Sequence, residues 1–134
     1  MIDINEQIGN EIADAYNAGF EDGKKRGRKL IELVEKWAEE KDLLHEENAG
    51  RQFMKFIEEV FEFKTEMDLL NLFGANEFTF KDIELEMGDI FVTLIILCKQ
   101  LQVDPLQCLE MAYEKIKGRK GKTIGETFVK EEDL

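Results

Sequence analysis

Two pairs of acidic residues have the spacing of a ligand set. The stretch KFIEEVFEF, from Lys55 to Phe63, sets Glu59 and Glu62 among aromatic and aliphatic side chains. The stretch EMGD places Glu86 and Asp89 at the same spacing inside a nearly continuous apolar run. In a helix, residues at this spacing lie one turn apart on one face, so each pair can act together.

The surroundings of the second pair favour a buried site for a cation. On a helical wheel, one narrow polar stripe runs between two apolar flanks, and it contains Asp82, Glu86, Asp89, Thr93 and Gln100. Such a stripe is expected to face another helix. Carboxylates brought together there raise one another's pKa unless a cation neutralises them.

The residue types limit the metal. Carboxylate oxygens alone suit Mg²⁺, with Mn²⁺ as a possible substitute. A di-iron or zinc centre would require histidine or cysteine ligands, and the one histidine of the chain, His45, lies in a polar loop. For either pair alone, the alternative is a solvated helix face without a ligand. Together the pairs favour a metal site with four ligands, which are Glu59, Glu62, Glu86 and Asp89.

Composition bounds the class of protein. The chain has 134 residues, enough for one domain with a hydrophobic core, and a net charge of −12, which disfavours binding to a nucleic-acid polymer. We expect no membrane association, because no apolar run approaches the length of a membrane span and the N-terminus lacks the pattern of a signal peptide. Cys98 and Cys108 lie in or beside apolar helical sequence, so buried thiols and a cytoplasmic location are expected.

The hydrophobic periodicity predicts an all-α fold, an antiparallel bundle of long helices. A first helix is expected from about Ile4 to Gly19, followed by a segment in which glycine recurs every four residues. We expect this segment to be a flexible or weakly helical link, and the alternative is a helix that places the glycines on one face for close packing. Further helices are predicted over about 30–41, 51–73, 80–102 and 105–117, the fourth opened by a capping box of Thr79 and Asp82. The glycine-rich, charged tail is expected to be extended or loosely ordered. Residues 1–28 thus form an N-terminal helix and link, and residues 29–134 form the main helical domain.

The ordered set of motifs resembles the MazG-like nucleotide pyrophosphohydrolases. EEVFE, Glu58 to Glu62, is followed after 23 intervening residues by EMGD, Glu86 to Asp89, which is similar to that family's E-x-x-E … E-x-x-D signature. The similarity continues through an apolar helix, a short turn ending in Asp104, another helix and a basic end. The closing GETFVKEEDL also resembles short MazG-like proteins of bacteria and phages. The resemblance spans roughly Leu30 to the C-terminus.

This resemblance implies a fold and an activity. The fold is an all-α bundle of the MazG-like type that is completed by self-association into a dimer or tetramer. The activity is Mg²⁺-dependent hydrolysis of a nucleoside triphosphate between the α and β phosphates, in nucleotide-pool cleaning or control. By position, Glu59, Glu62, Glu86 and Asp89 match the metal-binding carboxylates. Either Glu59 or Glu62 is expected to accept the proton of the attacking water.

Positive and aromatic groups for the substrate follow from the same resemblance. Lys115 and Arg119 match the family's basic pair best and are expected one turn apart on one face. The alternative is that lysines at a helix C-terminus only interact with the helix dipole. Lys55 is expected either to join the site or to pair with Glu59. Trp37 is expected to stack on a nucleobase or to belong to a core or interface.

Two departures from the family keep other functions open. Phe61 stands where relatives commonly have a small residue, and Tyr113 lies near a position where they often carry asparagine. Neither change removes a predicted ligand, but a relative that binds metal and nucleotide without turnover is an alternative. Another is a helical oligomerisation or partner-binding protein, because IFVTLIIL is apolar nearly all round.

Overall fold

The structure is a computed structural model that describes residues 4–134, with side-chain environments from Glu6 onward. Four α-helices account for most of these residues, so the all-α prediction is confirmed in this coarse form. The chain divides into two compact units, one ending at Leu101 and the other beginning at Gln102. Among the described residues, no helix combines the length and the apolar composition of a membrane span.

The first helix, α1, runs without interruption over Ile4–Glu40. The predicted break at the glycine-rich segment is therefore wrong, and Gly19, Gly23 and Gly27 lie inside the helix. Each glycine costs up to about 1 kcal/mol relative to alanine, but lysine, arginine and glutamate between them are good helix formers and no proline intervenes. The division at residue 28 falls inside α1, and whether residues 1–28 act separately stays a prediction.

The next two helices, α2 over Ala49–Phe73 and α3 over Glu77–Gln100, form the main helix pair of the first unit. A loop of only a few residues joins them, so they run antiparallel. The buried apolar side chains are Ile31 and Ala38 on α1 and Ile96 on α3. This small core is supplemented by an ion pair of 3.1 Å between Lys99 on α3 and Glu35 on α1.

Two glutamines fasten α3 to the rest of the first unit. The Gln52 side chain on α2 donates a hydrogen bond of 3.2 Å to the carbonyl oxygen of Thr93. The Gln100 side chain donates one of 2.8 Å to the carbonyl oxygen of Leu43, in the segment after α1. Thr93 and Gln100 are buried, as expected for the polar stripe of this helix, whereas Asp82 and Asp89 are exposed.

The loop between α2 and α3 uses an asparagine cap. Gly74 ends α2 at a φ of 78°, which favours glycine, as the sequence predicted. The N-cap of α3 is Asn76, whose side chain accepts from the backbone N–H groups of Phe78 and Thr79, while the Thr79 hydroxyl accepts from that of Asn76. The predicted capping box of Thr79 and Asp82 is therefore wrong. Asn76 outcompetes threonine because its longer side chain reaches both N–H groups.

The second unit contains a helix followed by a β-hairpin. Helix α4, Pro105–Lys117, begins after Asp104, whose carboxylate accepts from the N–H groups of Leu106 and Gln107. Strands β1, Gly121–Ile124, and β2, Thr127–Lys130, pair antiparallel. Of the two alternatives expected for the tail, extended backbone is confirmed for these strands and loose order is wrong for them.

The hairpin turn explains why a strand pair forms in this tail. Gly125 and Glu126 both have positive φ, 56° and 68°, as a two-residue turn matching the twist of the strands requires. At Gly121, a Cβ atom would lie 2.1 Å from the carbonyl oxygen of Val129, so only glycine fits. Glycines interpreted as loop signals therefore serve the strand pair.

The cysteines differ in exposure. Cys98 on α3 is half-buried, whereas Cys108 on α4 is exposed. The expectation of two buried thiols is wrong for Cys108, because the apolar residues beside it on α4 are themselves exposed, as Leu109 and Met111 show.

Candidate metal centre

Three carboxylates from two helices meet in the first unit. Glu59 and Glu62 project from α2, and Glu86 projects from the facing turns of α3. One carboxylate oxygen from each lies within 4.8 Å of the other two. The antiparallel α2–α3 pair makes this possible, because it sets turns far apart in the chain against each other. The predicted convergence of the two acidic motifs is thereby confirmed for three of the four residues.

The cluster contains desolvated acceptors. Glu59 is only 7% exposed, Glu86 is half-buried and Glu62 is exposed. The Oε2 atoms of Glu59 and Glu86 are buried, and neither has a hydrogen-bond partner among the described residues. A buried acceptor without a partner costs on the order of 1–3 kcal/mol, and more when it is charged. These two oxygens therefore call for a positively charged ligand.

The electrostatics of the cluster point the same way. The pKa of Glu62 is raised, first by a hydrogen bond with Glu59 and then by the charge of Glu59. The pKa of Glu86 is raised mainly by burial and further by the charges of Asp89 and Glu59. Both shifts mean that the ionised carboxylates repel one another, so a bound cation would stabilise the charged forms.

Lys55 provides only part of the neutralising charge. Its ammonium group lies 3.2 Å from Oε1 of Glu59 and 3.3 Å from Oε2 of Glu58. These contacts raise the pKa of Lys55, with the hydrogen bond to Glu59 contributing most. The ammonium contacts Oε1 of Glu59 and leaves Oε2 of the same carboxylate without a partner. Lys55 thus pairs with Glu59, one of the two roles expected from the sequence.

The donor set fits a hard divalent cation. All three clustered groups are carboxylates, and Mg²⁺ is typically held by a few carboxylates together with water and phosphate oxygens. Zinc and di-iron centres do not fit, since no histidine or cysteine belongs to the cluster within residues 4–134. His45 instead pairs with Asp42 at 2.6 Å in the segment after α1.

Asp89 lies outside the cluster. It is exposed, one turn beyond Glu86, and none of its oxygens belongs to the group formed by the other three. Its charge nevertheless contributes to the raised pKa of Glu86, so it lies near the site. Its role as a fourth ligand stays a prediction.

The remaining predicted site residues lie elsewhere. Trp37 on α1 is 48% exposed. Lys115 and Arg119 line one open groove of about 470 Å³ in the second unit, with Lys120, Lys130 and two glutamates. Arg119 follows the last turn of α4, so the prediction that both cations lie on one helix face is wrong. The helix ends at Lys117 because Gly118 caps it.

Two contacts that hold the helices of the first unit together were not predicted from the sequence. Gln52, in the first turn of α2, donates to the Thr93 carbonyl oxygen of α3 and was not singled out by any motif. Gln100 lay on the predicted polar stripe, yet its contact with the Leu43 carbonyl depends on a distant segment. Neither contact could be found from helical periodicity alone.

Comparison with known proteins identifies one relative of undefined activity. The chain is 31% identical over 77 residues to a protein of Haemophilus phage HP1 (strain HP1c1) described as an uncharacterized 18.2 kDa protein in the rep-hol intergenic region. The alignment covers 58% of this chain and 42% of the phage protein, so less than half of that relative is spanned. No protein-family model matches the chain, and no solved structure matches it.

Proposed function

We propose that the protein is a Mg²⁺-dependent nucleoside triphosphate pyrophosphohydrolase of the MazG-like type. It cleaves between the α and β phosphates to give a monophosphate and pyrophosphate, in nucleotide-pool cleaning or control. The observation that carries the proposal is the cluster of Glu59, Glu62 and Glu86, in which two buried oxygens have no hydrogen-bond partner among the described residues. Buried carboxylate oxygens without partners lower the stability of the fold, and a protein that only binds a partner through its surface does not need them.

The cluster supports a division of labour among its residues. Glu59 and Glu86 carry the buried oxygens and would hold the cation, with Glu62 completing the set. When bound, Mg²⁺ would neutralise the triphosphate and lower the pKa of a water molecule. Asp89, exposed beside Glu86, is proposed as a further ligand from its position in the motif.

Glu62 is the better candidate for the general base. Glu59 is buried and engaged by Lys55, which leaves it little access to water. Glu62 is exposed, and its raised pKa favours a role as proton acceptor. In this assignment Glu62 takes a proton from the attacking water while Glu59 keeps its ion pair with Lys55.

Binding of the substrate is assigned to cations of the second unit. Lys115 and Arg119 line an open groove with further lysines, which suits the phosphates of a nucleotide despite the acidic composition of the chain. Trp37, about half exposed, offers a ring face for a base. Loss of these side chains should raise KM more than it lowers kcat.

The test is pyrophosphate release from a panel of canonical, deoxy and damaged nucleoside triphosphates, with Mg²⁺ or with EDTA. Wild type should release pyrophosphate only with the metal. Glu62→Gln should lower kcat by at least 100-fold on the scale of general-base loss, whereas Glu58→Gln, an exposed glutamate of the same turn, should not. A wild-type protein that binds Mg²⁺ but hydrolyses no nucleotide would refute the enzyme.

A partner-binding protein is the second candidate, and one observation favours it. Large apolar side chains are exposed along α2 and α3, among them Phe61, Leu72, Phe73, Phe78, Leu85 and Phe91. A surface of this kind supports self-association into a dimer or tetramer, which the enzyme hypothesis also requires. The enzyme and the partner-binding protein differ in the role of the carboxylate cluster, because binding through the apolar surface does not need Glu62.

A further inference from the structure

The N-terminal half of α1 carries an apolar stripe that nothing in the described chain covers. The stripe consists of Ile8, Ile12, Tyr16 and Phe20, which are 49%, 66%, 74% and 62% exposed. Every side chain from Glu6 to Arg26 is exposed. Each step of four residues advances about 40° around the helix, so the stripe spans about 120°, the width of a face that normally packs.

The stripe continues the face by which α1 packs in its other half. Ala38, fully buried, lies 18 residues after Phe20. Since 18 residues make five full turns, both side chains occupy the same angular position on the helix. Ile31, also buried, lies close to that position. The packed face of α1 therefore continues into the stripe at its Phe20 end, and the stripe turns gradually away from that face toward Ile8.

A helix with this composition needs a partner. Residues 6–27 include four glycines, Gly9, Gly19, Gly23 and Gly27, each costing up to about 1 kcal/mol. Most of the stability of a helix in a protein comes from tertiary packing of its amphipathic face rather than from intrinsic propensity. At all four glycines an added Cβ would meet nothing within 4 Å, so the space beside them is open to a second helix.

The charges of α1 identify the partner. Residues 6–22, the acidic half, carry five acidic side chains and no basic one. Residues 24–29, the basic band, carry five basic side chains and no acidic one. A second α1 laid antiparallel sets the acidic half of each helix against the basic band of the other, whereas a parallel copy sets like against like.

We propose that two copies of this chain associate through the N-terminal halves of α1, antiparallel, with the two-fold axis near Phe20. In this arrangement the acidic half of each copy lies along the basic band of the other. Gly19 and Gly23 lie at the crossing, where missing side chains allow the backbones to approach closely. This surface lies outside the MazG-like resemblance and is independent of the carboxylate cluster.

Other occupants fit the charges less well. An anionic membrane surface or a nucleic acid would attract the basic band but repel the acidic half, which holds the whole apolar stripe. A second copy of the helix satisfies both segments at once and buries both stripes. A second copy of the chain is therefore the partner that fits both the apolar stripe and the charges of α1.

The first test compares two double variants of the full chain by sedimentation velocity. Ile12→Glu with Phe20→Glu places two carboxylates on the stripe, and Asn10→Glu with Asn17→Glu places two on the opposite side of the same turns. Wild type and the asparagine variant should share one mass, and the stripe variant should have half of it. Equal masses for all three, or a monomeric wild type, would overturn the proposal.

The second test asks for the antiparallel direction. Reversing the sign of every charge in the acidic half, or of every charge in the basic band, should weaken association at least about tenfold, because either change sets like charges against each other along both helices. The double variant, with both segments reversed, should recover the wild-type dissociation constant, since opposite charges face each other again. Failure of the double variant to recover would exclude this pairing, even if the stripe variant dissociates. Neither result depends on nucleotide hydrolysis, so the proposed enzyme is tested separately.

Discussion

Carboxylate oxygens of Glu59 on α2 and Glu86 on α3 approach within 4.8 Å of each other across the helix pair. Each side chain also has a buried Oε2 atom without a hydrogen-bond partner in the described part of the chain. The relationship arises because a short loop reverses the chain between two long helices. It brings two buried carboxylate oxygens close together, so a cation or a proton must compensate their negative charge.

Neutralising Glu86 should stabilise the metal-free protein. In EDTA, we expect Glu86→Gln to raise the melting temperature by roughly 2–4 °C, because burial and the charges of Asp89 and Glu59 disfavour the ionised carboxylate. Glu84→Gln, at an exposed position of the same helix, should leave it unchanged. Thermal unfolding followed by circular dichroism measures both. A lower melting temperature for Glu86→Gln would mean that this carboxylate has a stabilising partner.

Magnesium should stabilise the wild type through the same carboxylates. At a concentration of 100 times Kd, a ligand that binds only the folded state contributes about 2.7 kcal/mol to the free energy of unfolding. We expect Mg²⁺ to raise the melting temperature accordingly and Glu59→Gln to abolish the rise. Glu58→Gln should keep it, because Glu58 is exposed, pairs with Lys55 and does not belong to the carboxylate cluster. An equal response of both variants would place the cation elsewhere.

His45 should titrate above the ordinary histidine value. The hydrogen bond that His45 donates to the Asp42 carboxylate, together with the charge of that carboxylate, raises the pKa of His45 from 6.5, with Glu47 adding to the effect. As the one histidine of the chain, His45 gives an unambiguous NMR titration. Asp42→Asn should bring the midpoint back toward 6.5, and asparagine tolerates the φ of 58° at this position.

The same pair predicts how stability depends on pH. Because the folded pKa of His45 is the higher one, its pairing stabilises the protein fully below the unfolded pKa of 6.5. This contribution is lost as the pH rises through the folded pKa. The stability difference between wild type and Asp42→Asn should therefore be larger at pH 5.5 than at pH 8.5 in urea titrations. A difference that grows with pH would contradict the assignment.

Gln100 should matter for stability more than its polar character suggests. Gln100→Ala removes the hydrogen bond to the Leu43 carbonyl and opens space at a side chain that is only 4% exposed. We expect a loss of about 1–3 kcal/mol in the free energy of unfolding. Gln107→Ala, an exposed glutamine on α4, should change it by less than about 0.5 kcal/mol. Equal effects would show that the Leu43 contact contributes nothing.

Helical periodicity predicted the helix pair and most of the carboxylate cluster. The apolar faces of α2 and α3 pack against each other, and this packing brings Glu59, Glu62 and Glu86 together as expected. Asp89 shares the spacing but lies one turn further along α3, where the helices leave it exposed. The spacing of residues predicts which face of a helix they share. Whether a given turn of that face is buried depends on where the neighbouring helix packs, which the spacing does not show.

Glycine misled the sequence interpretation in two opposite ways. Gly19, Gly23 and Gly27 indicated a link, yet they lie within one helix. Gly121 and Gly125 indicated a loose tail, yet they permit a hairpin, one by close approach and the other by its positive φ. Glycine allows many backbone conformations. Whether a given glycine lies in a helix, a strand or a loop therefore depends on the residues around it, and the position of the glycine alone does not predict it.

Phosphorus NMR of the products formed from a nucleoside triphosphate, with Mg²⁺ or with EDTA, tests the proposed hydrolysis most directly. With Mg²⁺, wild type and Glu58→Gln should form a monophosphate and pyrophosphate, and Glu62→Gln should form them at least about 100-fold more slowly. No variant should form products in EDTA. A diphosphate with inorganic phosphate would contradict cleavage between the α and β phosphates. Undiminished turnover by Glu62→Gln would contradict the role assigned to the carboxylate cluster.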